Sequence, residues 1–90
     1  MIRIMTDVRP KFITITVDGE LSSEYISAVE TCVSQAIAQG KPVRLFLRDV
    51  SRIDESGHGL LASVAAKGVR LRASGVYSSY VVARISQAAA

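Results

Sequence analysis

Residues 43–48 read Val-Arg-Leu-Phe-Leu-Arg, and this alternation limits the fold more than any other stretch of the chain. A period of two places Val43, Leu45 and Leu47 on one side of a strand and Arg44, Phe46 and Arg48 on the other. Strands buried on both faces, as in a doubly wound sheet, read as continuous apolar runs, so that architecture is excluded. The same one-sided pattern returns in "VRLRA" at 69–73, with Val69, Leu71 and Ala73 turned in and Arg70 and Arg72 turned out. It also marks Ile13, Ile15 and Val17 around Thr14 and Thr16, and Ile2 and Ile4 around Arg3. Four strands, each with one apolar face, predict a sheet with a core on one side only.

The segments between them carry helical spacing. "RPK" at 9–11 is a turn, because proline fixes its backbone dihedral and stops pairing, so the first two strands form a hairpin. After "DGELSS" at 18–23, Tyr25, Ile26, Val29, Cys32, Val33, Ala36 and Ile37 recur every three or four residues as the apolar stripe of a helix. Ser22 or Ser23 is its candidate N-cap, and Gly40 and Pro42 stop it. A second helix spans about Ser56 to Lys67, with Leu60, Leu61, Val64 and Ala65 as its buried face and Gly68 as its stop. "SSYVVARI" from Ser78 caps and builds a third, with a frayed Gln-Ala-Ala-Ala tail. Tyr77 and Tyr80 are packing residues at its start.

The order is β-β-α-β-α-β-α. Strands joined through a helix run parallel with right-handed crossovers, and crossovers that all step the same way lay the helices on one face. The expected fold is therefore α/β: a single domain over residues 1–90, with a four-stranded mixed sheet, an N-terminal hairpin followed by parallel strands. The last strand is a sheet edge blunted by its arginines, which predicts a monomer or a weak homodimer.

At 90 residues there is room for one domain of modest core. No apolar run approaches the ~20 residues of a membrane span, and "MIRIMTDVRP" is unlike a secretory signal, so a cytoplasmic protein without membrane insertion is expected. Cys32 stands alone, with neither a disulfide framework nor a zinc cluster, and is expected as a buried core thiol. Neither metal nor cofactor is expected. Eleven basic against eight acidic residues give a net charge of +3, and no basic run interleaved with aromatics argues for nucleic acid.

Three stretches together resemble the STAS domain family, typified by bacterial anti-sigma-factor antagonists. "VDGELSS" at 17–23 is similar to that family's strand-end Gly-Glu-Leu step. "VRLFLRDVSRIDESGHGLL" at 43–61 is similar to its strand and Asp-x-Ser-Gly helix start, and "KGVRLRASG" at 67–75 to the strand that follows. The resemblance covers roughly residues 12–76 and implies a single-wound βα superhelix. It further implies a phosphorylation site at Ser56 and a partner-binding surface around it, formed by Ser22, Asp54, Glu55, Ser56, Gly57 and His58. Ser22, Glu55 and His58 differ from the residues commonest there among the family's antagonists.

Physics offers Ser56 two roles. As an N-cap its hydroxyl would accept a backbone N–H, worth about 1 kcal/mol. As a switch, it would hold a phosphate where free N–H groups and the helix dipole converge, adding about −1.5 to −2 charges beside Asp54 and Glu55. Asp54, Ser56 and His58 are also the residue types of a hydrolase, but two-residue steps at a helix start diverge where a triad needs a serine–imidazole hydrogen bond. The expectation is thus a non-enzymatic interaction domain of a bacterial regulatory system. Its partner would be an anti-sigma factor resembling a serine kinase. The alternative is a stand-alone STAS subunit of an ABC-type lipid transport complex, bracing the transporter's ATPase subunit without phosphorylation.

Overall fold

A computed structural model describes residues 2–89, with side chains described through Ile85. The chain runs β1 (Ile2–Val8), β2 (Ile13–Leu21), α1 (Ile26–Ala38), β3 (Val43–Ile53), α2 (Glu55–Ala66), β4 (Arg70–Ala73) and α3 (Val76–Ala89). The four strands form one sheet in the order β1-β2-β3-β4. β1 and β2 are an antiparallel hairpin, and β2, β3 and β4 are parallel. The expected α/β architecture is observed.

Period-two patterning does what it predicts. Ile13, Ile15, Val17, Val43, Leu45, Leu47 and Val69 are buried in one core with Val29, Val33 and Ala36 of α1 and Leu60, Leu61 and Val64 of α2. Leu71, expected in that layer, is only half-buried because β4 is a four-residue edge strand. Arg48, Arg70 and Arg72 are exposed and Arg44 half-exposed on the opposite face. Cys32, expected in the core, is half-buried and packs at its margin.

The helix starts differ from expectation. A 3-10 turn at Ser23–Tyr25 precedes α1, and neither Ser22 nor Tyr25 makes a side-chain cap bond. α3 begins at Val76, so Ser78 is no cap. It is buried inside the helix, where its hydroxyl donates to the Val50 carbonyl at 3.2 Å. The helix runs on through Ala89, so the expected frayed tail is helical as far as it is described, and Ala90 lies outside the described residues.

β2 and β3 also run further than their alternation suggests. Two register shifts, at Val17/Asp18 and Gly19/Glu20, carry the pairing on to Leu21 and Ile53. Gly19 sits between them at a φ of 110°, a conformation that side-chain-bearing residues avoid. The other edge of β3 pairs with β4 only as far as Leu47. Beyond it α3 substitutes for a strand. Ser78 bonds the Val50 carbonyl, and the Tyr77 hydroxyl accepts from Ile53 N–H and donates to Ile53 C=O, each at 3.3 Å. Tyr77 thus supports the end of β3 through its polar tip. Tyr80 is not a packing residue: it is 61% exposed, with Arg84 bonded to its hydroxyl.

Candidate functional site

The extended ends of β2 and β3 bring the loop after Leu21 beside the start of α2, and Asp54 joins them. It is the N-cap of α2 in extended conformation, and its carboxylate accepts Gly57 N–H at 2.8 Å. The other carboxylate oxygen accepts Ser23 N–H at 3.0 Å from the neighbouring loop. Its own N–H donates to the Leu21 carbonyl at 3.2 Å, and its carbonyl accepts His58 N–H at 2.9 Å. One aspartate therefore satisfies orphan donors of α2 and of the turn before α1. The Gly57 N–H, then that of Ser23, hold its carboxyl below the usual carboxylate range against the opposing effect of burial, and Arg52 adds to the lowering.

This corrects the capping role considered for Ser56. Ser56 lies inside the first turn, one residue past Glu55, with an exposed side chain, and Asp54 does the capping. The positive end of the helix is consequently occupied. A phosphate on Ser56 would meet the Asp54 and Glu55 carboxylates rather than free N–H groups, and would act as outward-facing charge.

Gly57 explains the glycine of the Ser-Gly step. It is buried, and a Cβ there would overlap the Leu21 carbonyl oxygen and come within 2.9 Å of Ile53 Cγ2. Absence of a side chain lets α2 rest directly on the backbone of β2. His58 is exposed and lines a groove of about 390 Å3 with Tyr80, Val81, Arg84 and Ile85, between α2 and α3. Asp54, spent on backbone N–H groups, orients no imidazole, so the three side chains do not assemble as a triad.

Ser22, half-buried, is brought to this end of the sheet with Asp54, Glu55, Ser56 and Gly57, while His58 looks towards α3. Glu20 and Glu24 join the same end: burial, then the Glu24 and Glu20 carboxylates, push the Tyr25 phenol up. The sequence pattern names Leu21, Ser23 and Tyr77 but not their part in this junction, because Leu21 and Ser23 act through the backbone. Tyr77 alone carried a legible signal, a phenol in the first turn of a helix.

The Asp54 network has a pH signature. A depressed pKa contributes stability that is complete above the unfolded value, near 3.9, and is lost as pH falls through the folded value. Asp54→Asn keeps a capping oxygen without the charge. The stability difference between wild type and Asp54→Asn is therefore expected to be constant above about pH 5 and to shrink below about pH 4, as read by urea unfolding across pH. Asp54→Ala, which removes the acceptor altogether, should lower the melting temperature by roughly 5 °C or more.

Among the described residues no helix is long and apolar enough to cross a membrane. No curated protein sequence matches the chain. A solved anti-sigma factor antagonist from Mycobacterium paratuberculosis superposes with a TM-score of 0.74 at 21% identity, covering 83% of this chain and 69% of that one. The crystal structure of Mglu superposes with a TM-score of 0.63 at 22% identity, covering 80% of this chain and only 19% of that one. The family described as the STAS domain matches residues 3–76, from β1 to the first residue of α3. Since that match takes in the Gly19–Leu21 strand end, the Asp54–Gly57 helix start and the Asp54 bridge between them, the chain belongs to the STAS domain family.

Proposed function

We propose that this protein is a non-enzymatic, cytoplasmic regulator of the anti-sigma-factor-antagonist kind, which docks a protein partner through the start of α2 and is released by phosphorylation of Ser56. The observation that carries the reading is the placement of Ser56. Its hydroxyl is exposed in the first turn of a helix whose cap is supplied by another residue, so modification need not unfold the site. The docking surface is Ser22, Asp54, Glu55, Ser56 and Gly57, with His58 at its α3 margin. Glu20 and Glu24 enlarge its acidic character. Phosphate adds about −1.5 to −2 charges to a surface that already carries Asp54 and Glu55, which repels a partner face able to tolerate only the unmodified charge. The solved antagonist that shares the fold is consistent with this role, and the partner inferred is an anti-sigma factor with serine kinase activity.

Ser56→Ala and Ser56→Asp separate the switch from mere structure. Ser56→Ala removes no cap and should alter stability by less than about 0.5 kcal/mol, as at an exposed site, and it should bind the partner as wild type does. Ser56→Asp adds a third neighbouring carboxylate and should weaken binding by about two- to fivefold, with phosphorylation weakening it further. The measurement is capture of the partner from the native host, its identification by mass spectrometry, and calorimetric titration against each variant. Equal affinity for wild type and Ser56→Asp, with no phosphate on Ser56 in protein from the host, would sink the reading.

A further inference from the structure

The face of the sheet opposite the helices is built like a binding surface. Strand register arranges it in rows: Asp7, Thr14, Arg44 and Arg70 lie side by side, then Met5, Thr16, Phe46 and Arg72. Arg3, Asp18 and Asp49 follow, with Arg48 hydrogen-bonded to Asp18. Five arginines, Arg3, Arg44, Arg48, Arg70 and Arg72, thus stand against three aspartates, Asp7, Asp18 and Asp49, an excess of +2. Most of the protein's net charge of +3 is therefore displayed on one face.

That charge is concentrated further towards β3 and β4. Asp18 is occupied by Arg48 and Asp7 by Arg9, which leaves Arg44, Arg70 and Arg72 without a carboxylate among the described residues. Arg44 and Arg70 are direct cross-strand neighbours, an arrangement that disfavours the isolated sheet. The Arg44 guanidinium lies 4.3 Å over the Phe12 ring, which keeps it extended across the face. Between these groups runs a groove of about 400 Å3 lined by Thr14, Arg44, Phe46, Arg72, Ala73 and Ser74. Beside it β4 is an edge strand, with no further strand beyond it among the described residues.

We infer that the β3–β4 side of this face docks an extended, carboxylate-rich segment of a partner protein. A strand added beside β4 carries alternate side chains at about 6.6–6.8 Å spacing on one face, the same spacing as Arg70 and Arg72, so glutamates at alternate positions reach both. Arginine presents the fork that pairs with carboxylate at two points, and every cation of the patch is arginine. Intervening apolar side chains of the segment would turn to the other side, where Leu71 is half-buried. Nucleic acid fits less well: stacking successive bases needs several free aromatic faces, and Phe12 is already covered by Arg44, leaving Phe46. A membrane fits less well again, because among the described residues Met5 is the one large apolar side chain exposed on this face, and it belongs to β1. This site is separate from the Ser56 surface, at the start of α2.

The test uses a fluorescein-labelled eight-residue peptide alternating glutamate and valine, and its counterpart with glutamine for glutamate, titrated with the full chain and read by anisotropy. The glutamate peptide is expected to bind and to weaken steeply as salt rises from 50 to 300 mM, while the glutamine peptide does not bind. Arg70→Glu and Arg72→Glu, both at exposed positions and checked for folding by circular dichroism, should each weaken binding by about tenfold or more. Ser56→Asp should leave it unchanged, so failure here and failure of the Ser56 reading are told apart. Equal binding of the glutamine peptide, or indifference to both charge reversals, would overturn the inference. So would tighter binding of a thymidine oligonucleotide or of phosphatidylserine vesicles. Sedimentation showing self-association that Arg72→Glu abolishes would assign the face to a second copy, and would overturn it too.

Discussion

Gly57→Ala is expected to destabilise the protein by about 3 kcal/mol, a fall of roughly 12–24 °C in melting temperature for a chain of this length. The added methyl would press into the Leu21 carbonyl oxygen and lie 2.9 Å from Ile53 Cγ2. The isoleucine side chain has room to turn. The carbonyl has not, since it accepts the Asp54 N–H and belongs to β2. Helix propensity works in the opposite sense, favouring alanine over glycine by up to about 1 kcal/mol, so the sign of the effect reports which influence wins. Gly59, two residues along the same helix, is the internal control, because nothing lies within 4 Å of a Cβ placed there. Gly59→Ala should stabilise by about 0.5–1 kcal/mol. Thermal unfolding of both variants gives opposite signs if α2 rests on the β2 backbone as described. A stabilising Gly57→Ala would mean that the helix start has space and that the Asp54 junction is looser than its hydrogen bonds indicate.

Leu45→Ala should cost about 3–5 kcal/mol, enough to leave the domain partly unfolded at room temperature. Leu45 is fully buried in the middle of β3, with Ile15 of β2 on one side and Leu71 of β4 on the other, under the helices. Truncation there removes apolar contact with the core and leaves a cavity that a rigid three-strand layer cannot close. Arg70→Ala, on the opposite face, should change stability by less than about 0.5 kcal/mol and in the favourable direction, because it relieves the Arg44–Arg70 repulsion. Urea unfolding with a common m-value compares the two. Similar losses at both positions would contradict a sheet with one buried and one open face.

The open face is also where composition alone misleads. A net charge of +3 spread along the sequence reads as a mild, diffuse excess. The strand register gathers most of it onto one surface, because alternate residues of four strands share a side and five arginines occupy the alternate positions. Arginines legible one residue at a time only as turned outward become, once β3 and β4 are paired, three neighbouring guanidinium groups with no carboxylate partner among the described residues.

Sequence by itself determined the element order, the one-sided sheet, the core residues of β2 and β3, and the Ser-Gly step as the place to look. These follow from local periodicity, since period two and period 3.6 fix which side chains share a face before any distant residue is known. Only the tertiary structure decided which residue caps α2, how far β2 and β3 run, and what completes the free edge of β3. A cap is chosen by competition among Asp54, Ser56 and their neighbours for the same N–H groups, and Asp54 wins because it also reaches Ser23, 31 residues away. The strand ends lengthen through bulges that no alternation announces, and Ser78 and Tyr77 complete the β3 edge from a helix more than 20 residues on. Each of these is a hydrogen bond or a close contact between segments far apart in the chain. Local pattern contains no information about such partners until the core brings them together.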